Sequence, residues 1–186
     1  MTELPGAAGD PRRKDAIRNY QRVVAAAVEV FREHGSAASV PQIAARAGVG
    51  KATVYRSFPA KEDLLEAITR LSLDELGQRT APALPETDPY AAFRRYVLDL
   101  FDALARDRLL AERLSDTESA AATSILDTLA ARMEAAQATG KLRADANQRD
   151  LRVLLCGAAL QLLRLGETDP ATWRRYGEMV LAAFQR

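Results

Sequence analysis

One cysteine and one histidine are all that 186 residues offer to thiol and imidazole chemistry. Cys156 alone excludes a disulfide within the chain and any site built from several cysteines. His34 alone leaves little for a histidine triad or a histidine-based metal site. Aromatic residues make up 6% of the chain, and only four of the 26 basic residues are lysine: Lys14, Lys51, Lys61 and Lys141. No glycine-rich phosphate loop follows a strand-like run. The apolar run at 153–163 carries 11 residues without a charge, short of the ~20 that a spanning helix needs. Residues 2–10 are polar and rich in Gly and Pro, with no apolar segment of the secretory kind. These absences point to a cytoplasmic protein that is not an enzyme and holds no metal or cofactor.

What remains is a helix-former's composition. The chain is 48% hydrophobic and 27% charged, enough to bury a core, and it is rich in Ala, Leu and Arg. An all-α fold is expected. The net charge of +1 conceals a division. Residues 12–61 hold ten basic and three acidic side chains, a surplus of +7, and the rest of the chain stands at −6. A positive head on a negative body suits a polyanionic partner.

Apolar residues Ile17, Tyr20, Val23, Val24, Val28 and Phe31 recur at three- and four-residue spacing, predicting a helix over 13–34 that Gly35 ends. Ser39-Val40-Pro41-Gln42 reads as a capping box with Pro in the first turn, where a missing N–H costs nothing. The short helix it starts buries Ile43, Ala44 and Ala47 and stops at Gly48. Another begins at Gly50 or Lys51 and ends at Phe58, because Pro59 cannot continue it. Two helices of about eight residues around a single-Gly turn make a helix-turn-helix. The second helix of such a pair enters the DNA major groove. Further helices are predicted at 61–79, 90–106, 108–114, 117–139, 147–165 and 170–185, with 80–89 a proline-rich loop.

The run IAARAGVGKATVYRSFPAKEDLL, preceded by VVAAAVEVFREHG, closely resembles the TetR family of bacterial transcriptional regulators. The markers are Phe31-x-x-x-Gly35, Ile43-Ala44-x-x-Ala47-Gly48-Val49, Thr53-Val54-Tyr55 and Phe58-Pro59-x-Lys61-Glu62, covering about residues 19–65. The resemblance implies that Ser39, Tyr55 and Lys61 touch phosphates and that Gln42, Lys51, Ala52, Thr53 and Arg56 face the groove. The chemistry agrees, since Lys51 and Arg56 have reach and charge for phosphate or guanine, and Thr53 offers a hydroxyl and a methyl. Arg12, Arg13 and Lys14 would form a flexible arm along the backbone or minor groove. Three positions depart from the family pattern. Gly50 stands where Ser or Thr is common, Ala60 replaces a polar cap before Lys61, and Pro41 occupies a position where other members present a base-reading side chain.

By the same resemblance, 1–12 is a disordered arm, 13–62 the DNA-binding domain, and 63–186 a helical body for ligand binding and dimerisation. Phe93, Tyr96, Phe101, Leu129, Met133 and Leu155 would line a pocket for a small hydrophobic or aromatic effector, with Arg132, Thr123 or Gln161 as polar anchors. Leu154, Ala158, Leu162, Trp173, Val180 and Phe184 would meet a second copy, because a two-fold dimer doubles the readout of a near-palindromic operator. The function implied is a nucleoid-associated, homodimeric repressor released by its effector. The alternative is an architectural or protein-interaction module that binds DNA without responding to a ligand. Glu112, Asp116 and Glu118 read as a solvated acidic face.

Overall fold

The computed structural model describes residues 11–80, 88–116 and 118–186. Among these the fold is all-α, and the only β pairing is an isolated bridge between Leu142 and Gln185. The head comprises α1 (Pro11–His34), a 3₁₀ turn (Gly35–Ala37), α2 (Val40–Ala47) and α3 (Lys51–Ser57). α4 (Lys61–Thr80) leads out of it. The body holds α5 (Pro89–Leu104), α6 (Arg108–Ser115) and α7 (Ala120–Gln137). Next come α8 (Gln148–Leu151), a π-helical turn (Arg152–Cys156), α9 (Gly157–Arg164) and α10 (Pro170–Phe184).

Local chemistry explains the boundaries. The Ser39–Gln42 capping box forms in both directions, with the Ser39 backbone N–H donating to Gln42 Oε1 at 2.8 Å. Gly48 closes α2 at φ +62°, a left-handed conformation that glycine adopts without cost. Gly50 begins α3 with no side-chain cap. The missing polar residue at 60 is compensated from inside α4, where Asp63 accepts the Ala60 N–H at 2.9 Å. Asp88, Asp107, Asn147 and Asp169 cap α5, α6, α8 and α10.

Three sequence expectations change. Arg12, Arg13 and Lys14 lie within α1 rather than in a flexible arm; the preceding residues 1–10 fall outside the described chain. The helix expected at 117–139 starts only at Ala120. The one expected at 147–165 is interrupted by the π turn, whose extra residue shifts the register of the outward side chains. Of the 80–89 loop, residues 81–87 lie outside the described chain.

Burial separates two cores. Val23, Phe31, Ile43, Val54, Phe58, Leu64 and Ile68 fill the head, while Phe93, Phe101, Leu126, Leu155, Trp173 and Phe184 fill the body. α6 belongs to both: Leu109 packs into the head core, and its neighbours Leu110 and Leu114 into the body core. A shared helix couples the two cores mechanically, since close-packed interiors transmit strain.

Candidate nucleic-acid interface

α3 is held by its inward side. Val54 is fully buried and Phe58, just past the helix end, nearly so. Tyr20 of α1 stacks on the Phe58 ring with centroids 5.5 Å apart. The opposite side shows Lys51, Ala52, Tyr55 and Arg56 to solvent, with Thr53 half-buried at the edge. Tyr55 is 48% exposed. Among the described residues, Lys51, Tyr55 and Arg56 make no side-chain hydrogen bond or ion pair. Two cations and a phenol thus stand free on a rigid support of two turns.

The other expected contacts are engaged within the protein. The Ser39 hydroxyl donates to Gln42 Oε1 at 2.7 Å, so both side chains serve the cap. Lys61 Nζ donates to the Ser36 carbonyl at 2.6 Å, tying the start of α4 to the turn after α1. The basic surplus is also partly consumed. Arg46 reaches Glu29 at 2.9 Å and Glu33 at 3.1 Å. Its hydrogen bond holds the Glu33 carboxyl below the ordinary range. Arg22 donates to the Gly48 carbonyl at 3.1 Å, pinning the α2–α3 turn to α1.

A polar seam that sequence reasoning missed joins this head to the body. The buried Asp107 carboxylate accepts from Ser72 Oγ of α4 at 2.6 Å and from the Leu110 N–H at 2.9 Å. Arg32 of α1 lies 3.7 Å from Asp107 and pairs with Glu75. Glu112 accepts the Ser36 N–H at 2.7 Å and an Arg108 bond at 3.1 Å. Its role therefore differs from that of Asp116, whose carboxylate accepts the Glu118 N–H at 3.1 Å in an exposed turn. The available signal was Asp107 itself, a helix-capping residue directly before an apolar periodic run.

In the body, Phe93, Phe101, Leu129, Met133 and Leu155 are packed core residues. Tyr96 alone of the six expected effector-pocket residues borders the cleft between α4, α5 and α7. This cleft has a volume of about 490 Å³ and is bounded also by Leu73, Gly77, Thr128 and Arg132. Burial pushes the Tyr96 phenol up, and the Arg132 guanidinium sits 5.0 Å from its ring centre. The expected anchors Thr123 and Gln161 are exposed and lie outside this cleft.

The expected dimer residues divide. Leu162, Trp173, Val180 and Phe184 lie in the chain's own core, with Trp173 against Phe101 and Phe184 edge-on to Phe93. Leu154 and Ala158 are half-buried. The exposed large apolar side chains of the C-terminal part, from the π turn to α10, are Val153, Leu165, Tyr176 and Met179.

A family model described as "Bacterial regulatory proteins, tetR family" matches residues 23–68. The fold is shared with the TetR transcriptional regulator SCO0520 from Streptomyces coelicolor at 31% identity and a TM-score of 0.60. That match covers 89% of this chain and 97% of the other. The chain belongs to the TetR family. A TetR transcription regulatory protein from Mycobacterium vanbaalenii is 27% identical, with 95% and 100% of the two chains covered and a TM-score of 0.57. The HTH-type transcriptional repressor LfrR of Mycolicibacterium smegmatis is 38% identical over 86 residues. That stretch is 46% of this chain and 45% of LfrR, so the match spans just under half of the curated relative. Membership makes the head a DNA-binding helix-turn-helix and the whole chain a transcriptional regulator. No helix among the described residues is long and apolar enough to cross a membrane.

Proposed function

We propose that the protein is a homodimeric repressor that binds a near-palindromic operator and leaves it when a small effector enters the body. The observation that carries this reading is the free outer face of α3, where Lys51, Tyr55 and Arg56 have no side-chain hydrogen bond or ion pair among the described residues. Side chains on such a probe meet base edges and phosphates together. Gln42 and Lys61 flank it and would give phosphates their remaining donor capacity, Ser39 would turn its hydroxyl from Gln42 to a phosphate, and Ala52 and Thr53 would make close groove contact.

Val153 of the π turn and Tyr176 and Met179 of α10, all exposed, with the half-buried Leu154 and Ala158, support a two-fold contact through this C-terminal part of the body. Gly157 adds room, because a side chain there would meet nothing within 4 Å. The α4–α5–α7 cleft, with Tyr96 and Arg132 at its wall, is the effector site this reading selects. α4 runs from that cleft to Lys61 in the head, so an effector that prefers a displaced α4 lowers operator affinity. A differential of ~1–3 kcal/mol between the two states is sufficient.

The test is a gel-shift titration against the gene's own upstream region, followed by DNase I protection. A two-fold symmetric protected site, lost on adding a compound that also raises the melting temperature, supports the reading. Binding without site selection, or selective binding that no compound in a broad aromatic panel releases, refutes the repressor or the effector half respectively.

A further inference from the structure

Seven consecutive residues of α1, positions 12–18, are exposed on every side. They precede the family-shared residues 23–68 and form two helical turns that no other element covers. A helix without a buried face draws no stability from packing. This one also carries Arg12, Arg13, Lys14 and Arg18 against the single acid Asp15. Lys14 and Arg18 stand at i and i+4, a like-charge pairing that disfavours an isolated helix. Asp15 approaches Arg18 at 3.7 Å with both side chains about two-thirds solvated, a contact readily exchanged for another anion.

The direction of the segment follows from what the rest of α1 touches. The C-terminal end of α1 meets the body through Arg32 and Asp107. Midway, Arg22 bonds the Gly48 carbonyl in the turn that leads into α3, and Tyr20 stacks on Phe58 at the far end of α3. Residues 12–18 therefore project beyond the head, away from the body. Lys14, Arg18 and Arg22 fall at i, i+4 and i+8 on one face, about 6 Å apart along the axis. That cationic row emerges beside the α2–α3 turn and continues the charged surface of α3.

We propose that residues 12–18 form a helical spur whose Lys14 and Arg18 bind DNA phosphates flanking the sequence read by α3. The inference rests on the DNA-binding reading above and goes beyond it. The spur adds phosphate contacts without base selection, and the bound phosphates offset the Lys14–Arg18 repulsion that the fold leaves uncompensated. A polyanion is the occupant that the charge selects, and continuity with α3 identifies that polyanion as the same duplex.

The test is the salt dependence of binding by the full-length chain, measured on the upstream region and on a 40-base-pair duplex of unrelated sequence. Each phosphate contact contributes about 0.9 to the slope of log affinity against log salt. The double variant K14A/R18A should lower that slope by about 1.8 per bound protomer, equally on both duplexes, with site preference unchanged. Alanine is the strongest helix former, so the variant keeps its helix. K14R/R18K should retain the wild-type slope, and Lys141→Ala, in the body, should leave it untouched. An unchanged slope in K14A/R18A, while Lys51→Ala lowers it, overturns the spur and leaves the DNA reading standing. An unchanged slope with weakened self-association in sedimentation overturns it in favour of a protein contact. Wild-type protein with no salt-dependent DNA affinity overturns the underlying reading as well.

Discussion

The Glu112 carboxylate of α6 accepts a hydrogen bond from the backbone N–H of Ser36, 2.7 Å away in the turn between α1 and α2. The approach depends on the residue before it. Gly35 lies at φ +59°, and a Cβ there would collide with the Glu112 carboxylate. A body helix thus holds the joint of the head by a carboxylate that a side chain at 35 would push from its present place. The same joint receives Lys61 from α4, so α4 and α6 both bond the Ser36 backbone.

Gly35→Ala is accordingly expected to cost about 1–3 kcal/mol, from the left-handed backbone and the displaced Glu112 together. Glu112→Ala removes the bond without the clash and should cost about 1 kcal/mol, discounted because the carboxylate is partly solvated. Urea unfolding measures both. If the joint also sets the position of α3, both variants weaken operator binding more than their stability loss explains at a temperature where each remains folded.

The exposed apolar side chains of the π turn and α10 give a second prediction. Met179 and Val153 are exposed in the single chain, so Met179→Glu and Val153→Glu should change its intrinsic stability by no more than about 0.5 kcal/mol. Sedimentation velocity should nevertheless show both variants as monomers at concentrations where the wild type is dimeric. Dimers of unchanged affinity would place the two-fold contact elsewhere on the body.

Asp88 supplies the pH test. It caps α5 through the Tyr90 N–H at 3.0 Å and accepts from Lys141 Nζ at 2.6 Å. The Lys141 hydrogen bond is the main cause that holds its carboxyl below the ordinary aspartate range. A depressed pKa in the folded state stabilises at pH values above that ordinary range and is lost as the pH falls through the folded value. Asp88→Asn keeps a good capping residue but loses the charge. Its melting temperature should lie below that of the wild type at pH 6–7. The gap should close on acidification from about pH 4 downward, where the wild-type carboxylate takes up its proton. A gap independent of pH would mean that the Lys141 pairing contributes nothing to the fold.

Much of the head was legible in the sequence because its signals are local. The Ser39–Gln42 box, the left-handed Gly48 and the Pro59 stop each act within four residues, and the structure reproduces all three. The side of α10 was harder to read. Its sequence reads as one apolar face of Trp173, Tyr176, Val180 and Phe184, and periodicity alone does not say whether that face turns to the core or to a partner. Trp173, Val180 and Phe184 are expected at the partner, but α5 presents Phe93 and Phe101 to Phe184 and Trp173 and takes them into the core, leaving Tyr176 at the surface. Gly177 permits that approach, since a Cβ there would come within 3.1 Å of the Phe101 ring. The Glu112–Ser36 bond spans 76 positions, and no pattern in a single sequence encodes a pairing at that distance. Lys61 and Ser39 show a related limit. Their residue types suit phosphate, yet in the folded chain each also holds a neighbouring segment in place.

The central claim is that α3 reads DNA through side chains the fold leaves unoccupied, and the most direct measurement is fluorescence anisotropy of the labelled upstream region with the Lys51→Ala/Tyr55→Ala double variant. Neither side chain has a hydrogen-bond or ion-pair partner among the described residues, so the melting temperature should stay at the wild-type value while operator affinity falls at least about tenfold, the equivalent of 1.4 kcal/mol. Wild-type affinity in a correctly folded double variant would contradict the account.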